Sequence, residues 1–405
     1  MTAVMKGVRV LEVAEHTFVP AASALLADWG AEVIKIEHVE RGDAMRGLAS
    51  SGTVSLGGGV HVLLEHSNRG KQSLGLDLKA QDGLELLYRL AATCDVFLTN
   101  KLPSIRSKLK IDVEDIRAHN ANIIYVRGTG QGERGPDANR GSYDALAYWD
   151  RAGVAMGGMQ ADATFVPPPP APAFGDSIGA MTIAGGIMGA LFHRERTGEA
   201  TTVDVSLLGT GIWSMGAALA LSLQHDVPWR PPAAGGTGGN PLVSNYRTKD
   251  DRFVALCCLQ PGRYWAEACG VVGRPELAED ERFATAASIV ENGGAGRKLL
   301  AEAFAEHTVD EWRDRLAEFS GQWAIVQDTL EAATDPQSVA NGYVQECTTA
   351  DGTPFRLAAA PVQFGEEAPR PRRAPEFNEH GDAILTDLGV DMDTIIDLKV
   401  RGILA

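Results

Sequence analysis

Short apolar runs alternate with amphipathic stretches along the N-terminal half of the chain. The valine-rich segment 8–13 predicts a strand, the apolar segment 20–29 predicts a helix, and segment 32–37 predicts the next strand. A strand, a helix and a strand in immediate succession predict two parallel strands that are joined by a crossover helix.

The same alternation continues to residue 206. Further strands are predicted at 73–77, 95–99, 123–126 and 201–206, and helices at 80–92 and 113–119. We therefore predict an α/β fold whose large domain is Rossmann-like and doubly wound. A ligand of such a fold lies past the carboxyl ends of the strands.

The loops that flank these strands contain several polar and basic side chains. They are His16, Arg41, Arg46, Lys71, Asn100, Lys101 and Arg106. Two interpretations stay open for them. They contact a phosphorylated ligand, which a cluster of cations would suit, or they are solvated loop charges, the usual state of lysine and arginine.

Two later segments, 178–192 and 207–223, are apolar and rich in small residues, and each is predicted to form a buried helix. The second is interrupted by glycines and short for a membrane span. Segment 224–241 is rich in proline and glycine, which indicates a linker. It includes a glycine loop with Gly235, Gly236, Gly238 and Gly239, which is either plain linker or a lid. A hairpin and helices then predict a small α+β domain at 242–330.

Length, charge and cysteine content limit the classes of function. At 405 residues the chain is longer than one ordinary core, which predicts two domains. A net charge of −16 argues against nucleic-acid partners and against an anionic membrane. Five cysteines without metal-ligand spacing indicate reduced thiols and no metal site. Because the N-terminus has no signal-peptide pattern, we expect a cytoplasmic protein.

Segment 130–135, Gly-Gln-Gly-Glu-Arg-Gly, matches a dinucleotide-binding fingerprint and follows a predicted strand. The next residues, Pro-Asp-Ala-Asn, are typical of a loop and not of the helix that the fingerprint requires. The match therefore does not predict a nicotinamide or flavin cofactor.

Asp176 lies where a proline-rich arm meets the small-residue helix at 178–192. The four prolines from Pro167 to Pro170 predict an extended segment that stops before the helix. An aspartate at this place is either a helix N-cap or a carboxylate nucleophile held by backbone amides. We expect the helix start to keep the carboxylate ionised.

Motifs along nearly the whole chain resemble those of the family III CoA-transferases, also called the CaiB/BaiF family. They are Gly-Val-Arg-Val-Leu-Glu at 7–12, Leu-Ala-Asp-Trp-Gly-Ala-Glu-Val-Ile-Lys-Ile-Glu at 26–37, Asn-Arg-Gly-Lys at 68–71, Ser-Tyr-Asp at 142–144, Phe-Gly-Asp at 174–176, His-Arg-Glu-Arg-Thr-Gly at 193–198 and the glycine loop up to 241. Each motif is modest alone, but this order is highly specific.

The resemblance implies that Asp176 is the catalytic aspartate. Contacts to coenzyme A (CoA) are expected at His16, His38, Lys71, Asn100, Lys101, Arg106 and Tyr143. Residues 1–223 and a return segment, 331–405, would build the large domain, and two chains would interlock as rings in a homodimer. Acyl-CoA and a carboxylic acid would be substrates, with no permanently bound cofactor and no metal.

The implied reaction moves CoA from an acyl-CoA donor to a carboxylic acid through a mixed anhydride and an aspartyl-CoA thioester. Thr17 replaces a glutamine of the formyl and oxalate enzymes, which argues against those substrates. The fold also hosts α-methylacyl-CoA racemases, in which a histidine stands where this chain has Tyr143. A protonated tyrosine is a poor general base, which favours transfer. A 2-methylacyl-CoA racemase and a non-catalytic acyl-CoA-binding relative remain the alternatives.

Overall fold

Six parallel strands form the centre of the fold in the computed structural model, which describes residues 2–51, 54–56, 59–231 and 238–405. The strands are β1 (Arg9–Val13), β2 (Glu32–Glu37), β3 (Gln72–Gly75), β4 (Val96–Thr99), β5 (Ile124–Thr129) and β6 (Thr202–Ser206). Their order across the sheet is β3-β2-β1-β4-β5-β6. This doubly wound order reverses between β1 and β4, and the predicted parallel α/β fold is confirmed.

Helices cover both faces of this sheet. The helices in this part of the chain are α1 (Phe18–Asp28), α2 (Val62–Asn68), α3 (Gln81–Ala91), α4 (Pro103–Leu109), α5 (Val113–Arg117), a π-helix (Ala145–Arg151), α6 (Val154–Gly158), α7 (Phe174–Thr197), α8 (Leu207–Ser214) and α9 (Gly216–His225), with a 3₁₀ turn at Ala44–Gly47 and two short strands at Ser50–Ser51 and Val54–Ser55. Neighbouring strand residues point to opposite faces. Val10 therefore enters the core with α1 and α7, whereas Leu11 enters the core with α3.

Helix α7 packs against α1 in the first of these cores. A Cβ atom at Gly179 would lie 2.4 Å from the Phe18 ring, so glycine is needed for this close approach. By length and composition α7 could cross a membrane. However, its buried residues, Ile183 and Ile187 among them, belong to the core shared with α1, as in a core helix.

The prediction of one buried helix at 207–223 is wrong. The chain bends by 71° between α8 and α9, and α9 buries none of its residues within the single chain. Exposed apolar side chains on these helices include Ile212, Trp213, Leu219, Leu221 and Leu223. An apolar composition predicts burial, but it does not say whether the covering surface belongs to the same chain.

The chain divides into two compact units. The larger contains Met1–Met159, Phe165–Arg230 and Pro336–Ala405, and the smaller contains Gln160–Thr164 and Pro231–Asp335. The last part of the larger unit is the return segment, with α15 (Pro336–Ala340), β10 (Val344–Thr348), β11 (Pro354–Ala358), α16 (Gly381–Asp387) and α17 (Met392–Val400). The backbone N–H groups of His380 and Ala405 donate to the carbonyls of Ser73 and Gly75. The return segment thus binds the β3 edge of the large sheet.

The smaller unit has its own core. Its antiparallel sheet has the order β9-β8-β7, formed by β7 (Val243–Arg247), β8 (Phe253–Cys257) and β9 (Trp323–Ile325). Its helices are α10 (Pro261–Val271), α11 (Ala286–Glu291), α12 (Gly293–Phe304), α13 (Val309–Leu316) and α14 (Thr329–Thr334), with 3₁₀ turns at Pro275–Ala278 and Glu281–Phe283. Trp265, Phe304 and Trp312 are buried at its centre.

Candidate active site

A cavity of about 510 Å³ lies past the carboxyl ends of β1, β4 and β5. Residues after these strands and on nearby elements line it, among them Glu15, His16, Asn100, Lys101, Gly130, Tyr143 and Asp176. This is the edge of the sheet at which a doubly wound fold binds its ligands. The structure therefore brings five of the predicted site residues together in one cavity: His16, Asn100, Lys101, Tyr143 and Asp176.

Asp176 is the third residue of α7, and Ala173 takes the N-cap position with a φ of 55°. Among the residues that the structure describes, no donor gives a hydrogen bond to the Asp176 carboxylate and no cation pairs with it. The interpretation of Asp176 as an N-cap is therefore wrong. Its carboxylate is a free group in the wall of the cavity.

Burial, and after it the charge of Asp144, raises the pKa of Asp176 to about 8. The expectation that the helix start keeps this carboxylate ionised is therefore wrong, because desolvation and a like charge both penalise the ionised form. A strongly raised pKa in a cavity is typical of a functional carboxylate. Once deprotonated, the unpaired carboxylate is available as a nucleophile.

His16 follows β1 and has a φ of 68°, which is unusual for a residue other than glycine. Its backbone N–H donates to Asp43 Oδ1 over 3.0 Å, and this contact holds the strained conformation in place. The imidazole lies edge-to-face with the ring of Tyr143, with the centroids 5.7 Å apart. Two aromatic side chains with polar atoms therefore lie against each other, edge to face, in the cavity that contains Asp176.

Asn100 and Lys101 hold the neighbouring residue, Glu15. The Asn100 side chain accepts from the Glu15 N–H over 3.2 Å and donates to the Glu15 carbonyl over 2.7 Å, and the Lys101 ammonium pairs with the Glu15 carboxylate. Asn100 thus fastens the loop after β1 to the loop after β4. Lys101 remains partly exposed at the cavity wall.

A second cavity of about 270 Å³ adjoins the first and shares Glu15, Lys101 and Ile105 with it. The basic side chains in its wall are His38, Arg41, Lys79, Lys101 and Lys108. Of the two lysines that the sequence analysis missed, Lys79 follows β3 and Lys108 lies on the helix after β4. Both therefore lie at the ligand-binding edge of the sheet, and this position was the signal that could have identified them.

Lys71 lines neither of these two cavities. Its buried ammonium donates to Glu12 Oε2 over 2.7 Å, to the Pro20 carbonyl over 2.9 Å and to Asn68 Oδ1 over 3.0 Å. Burial lowers its pKa to about 7. All three donors of the ammonium are thus used inside the protein, and the contacts indicate a structural role.

Arg106 is also buried and lines neither cavity. Its guanidinium forms a bidentate pair with Glu133, with N–O distances of 3.0 and 2.6 Å. It also donates to the Lys101 carbonyl over 2.9 Å and to Asp112 over 3.2 Å. This network connects α4 to the loop after β5, which again indicates a structural role.

The glycine loop is described only in part, because Gly235 and Gly236 lie outside the described residues. The Gly239 N–H donates to the Val290 carbonyl over 2.8 Å, and Arg297 donates to the Gly238 carbonyl over 2.6 Å. A Cβ atom at Gly293 would lie 1.7 Å from the Gly239 oxygen. The end of the loop is therefore held by other residues of the smaller unit, and its role near a reacting centre stays a prediction.

Comparison with known proteins defines the family. The model of CoA-transferase family III matches residues 5–381. The (R)-2-hydroxy-4-methylpentanoate CoA-transferase of Clostridioides difficile is 29% identical, over 98% of each chain. The cinnamoyl-CoA:phenyllactate CoA-transferase of Clostridium sporogenes is also 29% identical, over 98% of this chain and 96% of its own.

A solved structure agrees with these sequence matches. The crystal structure of a CaiB/BaiF family protein from Brucella suis superposes with a TM-score of 0.80 at 27% identity, over 96% of this chain and 100% of that one. The resemblance inferred from the sequence motifs is confirmed. The chain belongs to the family III CoA-transferases.

Proposed function

We propose that the protein transfers CoA from an acyl-CoA donor to a carboxylic acid and that Asp176 is the nucleophile. The observation that most supports this proposal is the unpaired Asp176 carboxylate in the wall of the cavity at the switch point of the sheet. The names of the two relatives, both CoA-transferases, support the same class of reaction.

In this proposal the nucleotide part of CoA occupies the smaller cavity and the thioester lies in the larger one. Lys79 and Lys108 are exposed basic side chains of the smaller cavity, and His38 lines it as well. They suit the phosphate groups. Because Lys101 lines both cavities, the arm that connects the nucleotide to the sulfur would pass beside it and reach Asp176.

The proposed reaction needs no reagent beyond its two substrates. An oxygen of Asp176 attacks the thioester carbon, the carbon–sulfur bond breaks, and a mixed anhydride and CoA thiolate form. The thiolate then attacks the aspartyl carbonyl, which releases the donor acid and leaves CoA as a thioester on Asp176. The acceptor carboxylate repeats the two steps in reverse order, which regenerates the free carboxylate and gives the new acyl-CoA.

Backbone amides at the start of α7 can stabilise the oxyanions of these steps. The first hydrogen bond of the helix runs from the Ser177 N–H to the Ala173 carbonyl over 2.9 Å. The N–H groups of Phe174 and Asp176 therefore have no acceptor within the helix. Donors at a helix N-terminus favour developing negative charge.

The proposal is tested by CoA transfer from a panel of acyl-CoA donors to acceptors that include 2-hydroxy acids, dicarboxylic acids and fatty acids. Asp176→Asn keeps the shape of the side chain but removes the nucleophile, so its transfer rate should fall at least about a thousand-fold. Asp150→Asn, which changes an exposed aspartate on the π-helix, is the matched control and should keep the wild-type rate. An Asp176→Asn enzyme that transfers CoA at near wild-type rate would refute the proposal.

The racemase alternative has one observation in its favour, because the imidazole of His16 lines the same cavity as Asp176. A pair of bases on the two sides of an α-carbon would exchange its proton with solvent. Incubation with a 2-methylacyl-CoA in deuterated buffer measures this exchange. Our proposal predicts no exchange in enzyme that is active in CoA transfer.

We also expect a homodimer. The apolar side chains on α8 and α9, Trp213 and Leu223 among them, are exposed in the single chain, and such surfaces are typical of interfaces. Sedimentation of the purified protein at micromolar concentration should give twice the mass of the chain. A stable folded monomer would contradict this expectation.

A further inference from the structure

One carboxylate connects the segment before the π-helix to the first turn of α7. Asp144 Oδ1 accepts a hydrogen bond from the N–H of Ala145 over 2.8 Å, and Asp144 Oδ2 accepts one from the N–H of Gly175 over 3.1 Å. Gly175 directly precedes Asp176 in the sequence. Asp144 Oδ2 therefore holds the residue next to Asp176 from outside the helix, while Oδ1 binds the start of the π-helix.

Helix α7 cannot supply this acceptor itself. Its N-cap residue is Ala173, whose methyl side chain accepts no hydrogen bond and whose φ of 55° places it in the left-handed region. The first N–H groups of a helix need acceptors from elsewhere. A carboxylate is well suited to them, because its charge also interacts favourably with the positive end of the helix dipole. Asp144 thus performs the capping that the sequence suggests for Asp176.

Two further contacts fix the same turn. A Cβ atom at Gly175 would lie 2.6 Å from the ring of Tyr148, so the buried tyrosine of the π-helix packs directly on the turn. On the other side of Asp176, the Ser177 hydroxyl donates to the Ala173 carbonyl over 3.0 Å. The residues before and after Asp176 are therefore held, while its own carboxylate has no partner among the described residues.

We propose that Asp144 is a positioning residue for the transfer reaction, which holds the first turn of α7 so that the Asp176 carboxylate faces the cavity. This inference rests on the proposed function of Asp176 as nucleophile. Correct placement matters because a displacement of the nucleophile by about 1 Å can lower a rate about a hundred-fold. Asp144 itself forms no bond in the reaction and acts through the helix turn.

The charge of Asp144 has a second effect, which makes the inference measurable. The pKa of Asp176 is raised to about 8, and burial is the larger cause of this shift. The charge of Asp144 is the second cause. The other titratable groups that line the cavity are Glu15, His16, Lys101 and Tyr143. His66 lies 3.4 Å from the Ser177 hydroxyl and is neutral at pH 7, because burial and the charge of Arg69 lower its pKa to about 4. Removal of the Asp144 charge should therefore make Asp176 easier to ionise.

Two substitutions separate the hydrogen bond to Gly175 from the charge. Asp144→Asn removes the charge and one of the two acceptors, and its single carbonyl oxygen can still accept from the Gly175 N–H. Asp144→Ala removes the charge and both acceptors. We expect kcat/KM of the wild type to rise with pH around a midpoint near 8, and that of Asp144→Asn to rise around a midpoint about one unit lower, with a similar plateau. For Asp144→Ala we expect a plateau kcat about a hundred-fold lower and a KM for acyl-CoA within a few-fold of the wild-type value.

Asp150→Asn removes the same charge from a nearby exposed position and should leave both the midpoint and kcat unchanged. A CoA dissociation constant close to the wild-type value will show that each variant is folded. If Asp144→Ala does not fold, the pH midpoint of Asp144→Asn tests the inference. A midpoint below that of the wild type supports it, and an unchanged midpoint overturns it. If the Asp144 variants keep the wild-type pH midpoint and the wild-type kcat, the inference about Asp144 is overturned and the proposed function is not. CoA transfer by Asp176→Asn would overturn the proposed function.

Discussion

The large unit contains two carboxyl groups that are shielded from solvent, Glu12 and Asp176, and their surroundings are opposite. Around Glu12, Lys35 and Lys71 lie within 2.7 Å of the carboxylate oxygens. Burial opposes the ionisation of Glu12, but the charges of the two lysines hold its pKa below the usual value. Around Asp176 no cation balances the carboxylate among the described residues, and the charge of Asp144 raises its pKa further.

This difference indicates that the Glu12 cluster stabilises the fold, whereas Asp176 is available for reaction. Breaking a buried, fully paired group costs stability because it leaves an uncompensated charge, so the Glu12 cluster fixes the ends of β1, β2 and β3. An unpaired carboxylate in a cavity is unfavourable for stability but available for reaction. The pairing state of a buried charge, and not its position near a strand end, therefore distinguishes the two roles.

Lys71→Met should have the largest effect on stability, because it removes one of the two cations that pair with the buried Glu12 carboxylate. We expect the free energy of unfolding to fall by about 3–5 kcal/mol. Unfolding in urea measures the change, and Lys101→Met, which removes the partly exposed partner of Glu15, should cost about 1 kcal/mol or less. Equal losses of unfolding free energy in the two variants would contradict the difference that we describe between the Glu12 cluster and the cavity.

Asp176→Asn should instead stabilise the protein at high pH. The folded chain holds the Asp176 proton up to about pH 8, whereas the unfolded chain releases it near 3.8. Wild-type stability therefore declines as the pH rises between these two values. The variant lacks this decline and should be more stable by about 1 kcal/mol or more at pH 8, with little difference at pH 4. Thermal unfolding at both pH values measures this, and a less stable variant at pH 8 would mean that Asp176 has a structural partner.

Lys108→Ala should have the smallest of these effects on stability and should act on binding instead. A charge-assisted hydrogen bond contributes about 1.5–3 kcal/mol, so the dissociation constant of CoA should rise about ten-fold at low salt and less at high salt. Calorimetry compares this variant with Lys298→Ala, an exposed lysine of the smaller unit. If the two variants bind CoA equally well, Lys108 does not contact the phosphates.

The sequence was sufficient to predict the strands of the large sheet, but it was not sufficient to predict the state of every site residue. The strand positions followed from short apolar runs, because neighbouring residues of each strand face two different cores and both must be apolar. The state of Lys71 depends on Glu12, 59 residues away, and that of Arg106 on Glu133, 27 residues away. No local pattern reports such pairs. The capping of α7 was missed for the same reason, since Asp144 lies 31 residues before Gly175.

The most direct test of the central claim is to trap the covalent intermediate. The enzyme is incubated with an acyl-CoA donor and no acceptor, and intact-protein mass and peptide mapping locate any adduct, with hydroxylamine used to trap activated aspartate. The account predicts CoA or the acyl group on Asp176 of the wild type and no adduct on Asp176→Asn. An adduct on another residue, or full CoA transfer by Asp176→Asn, would contradict it.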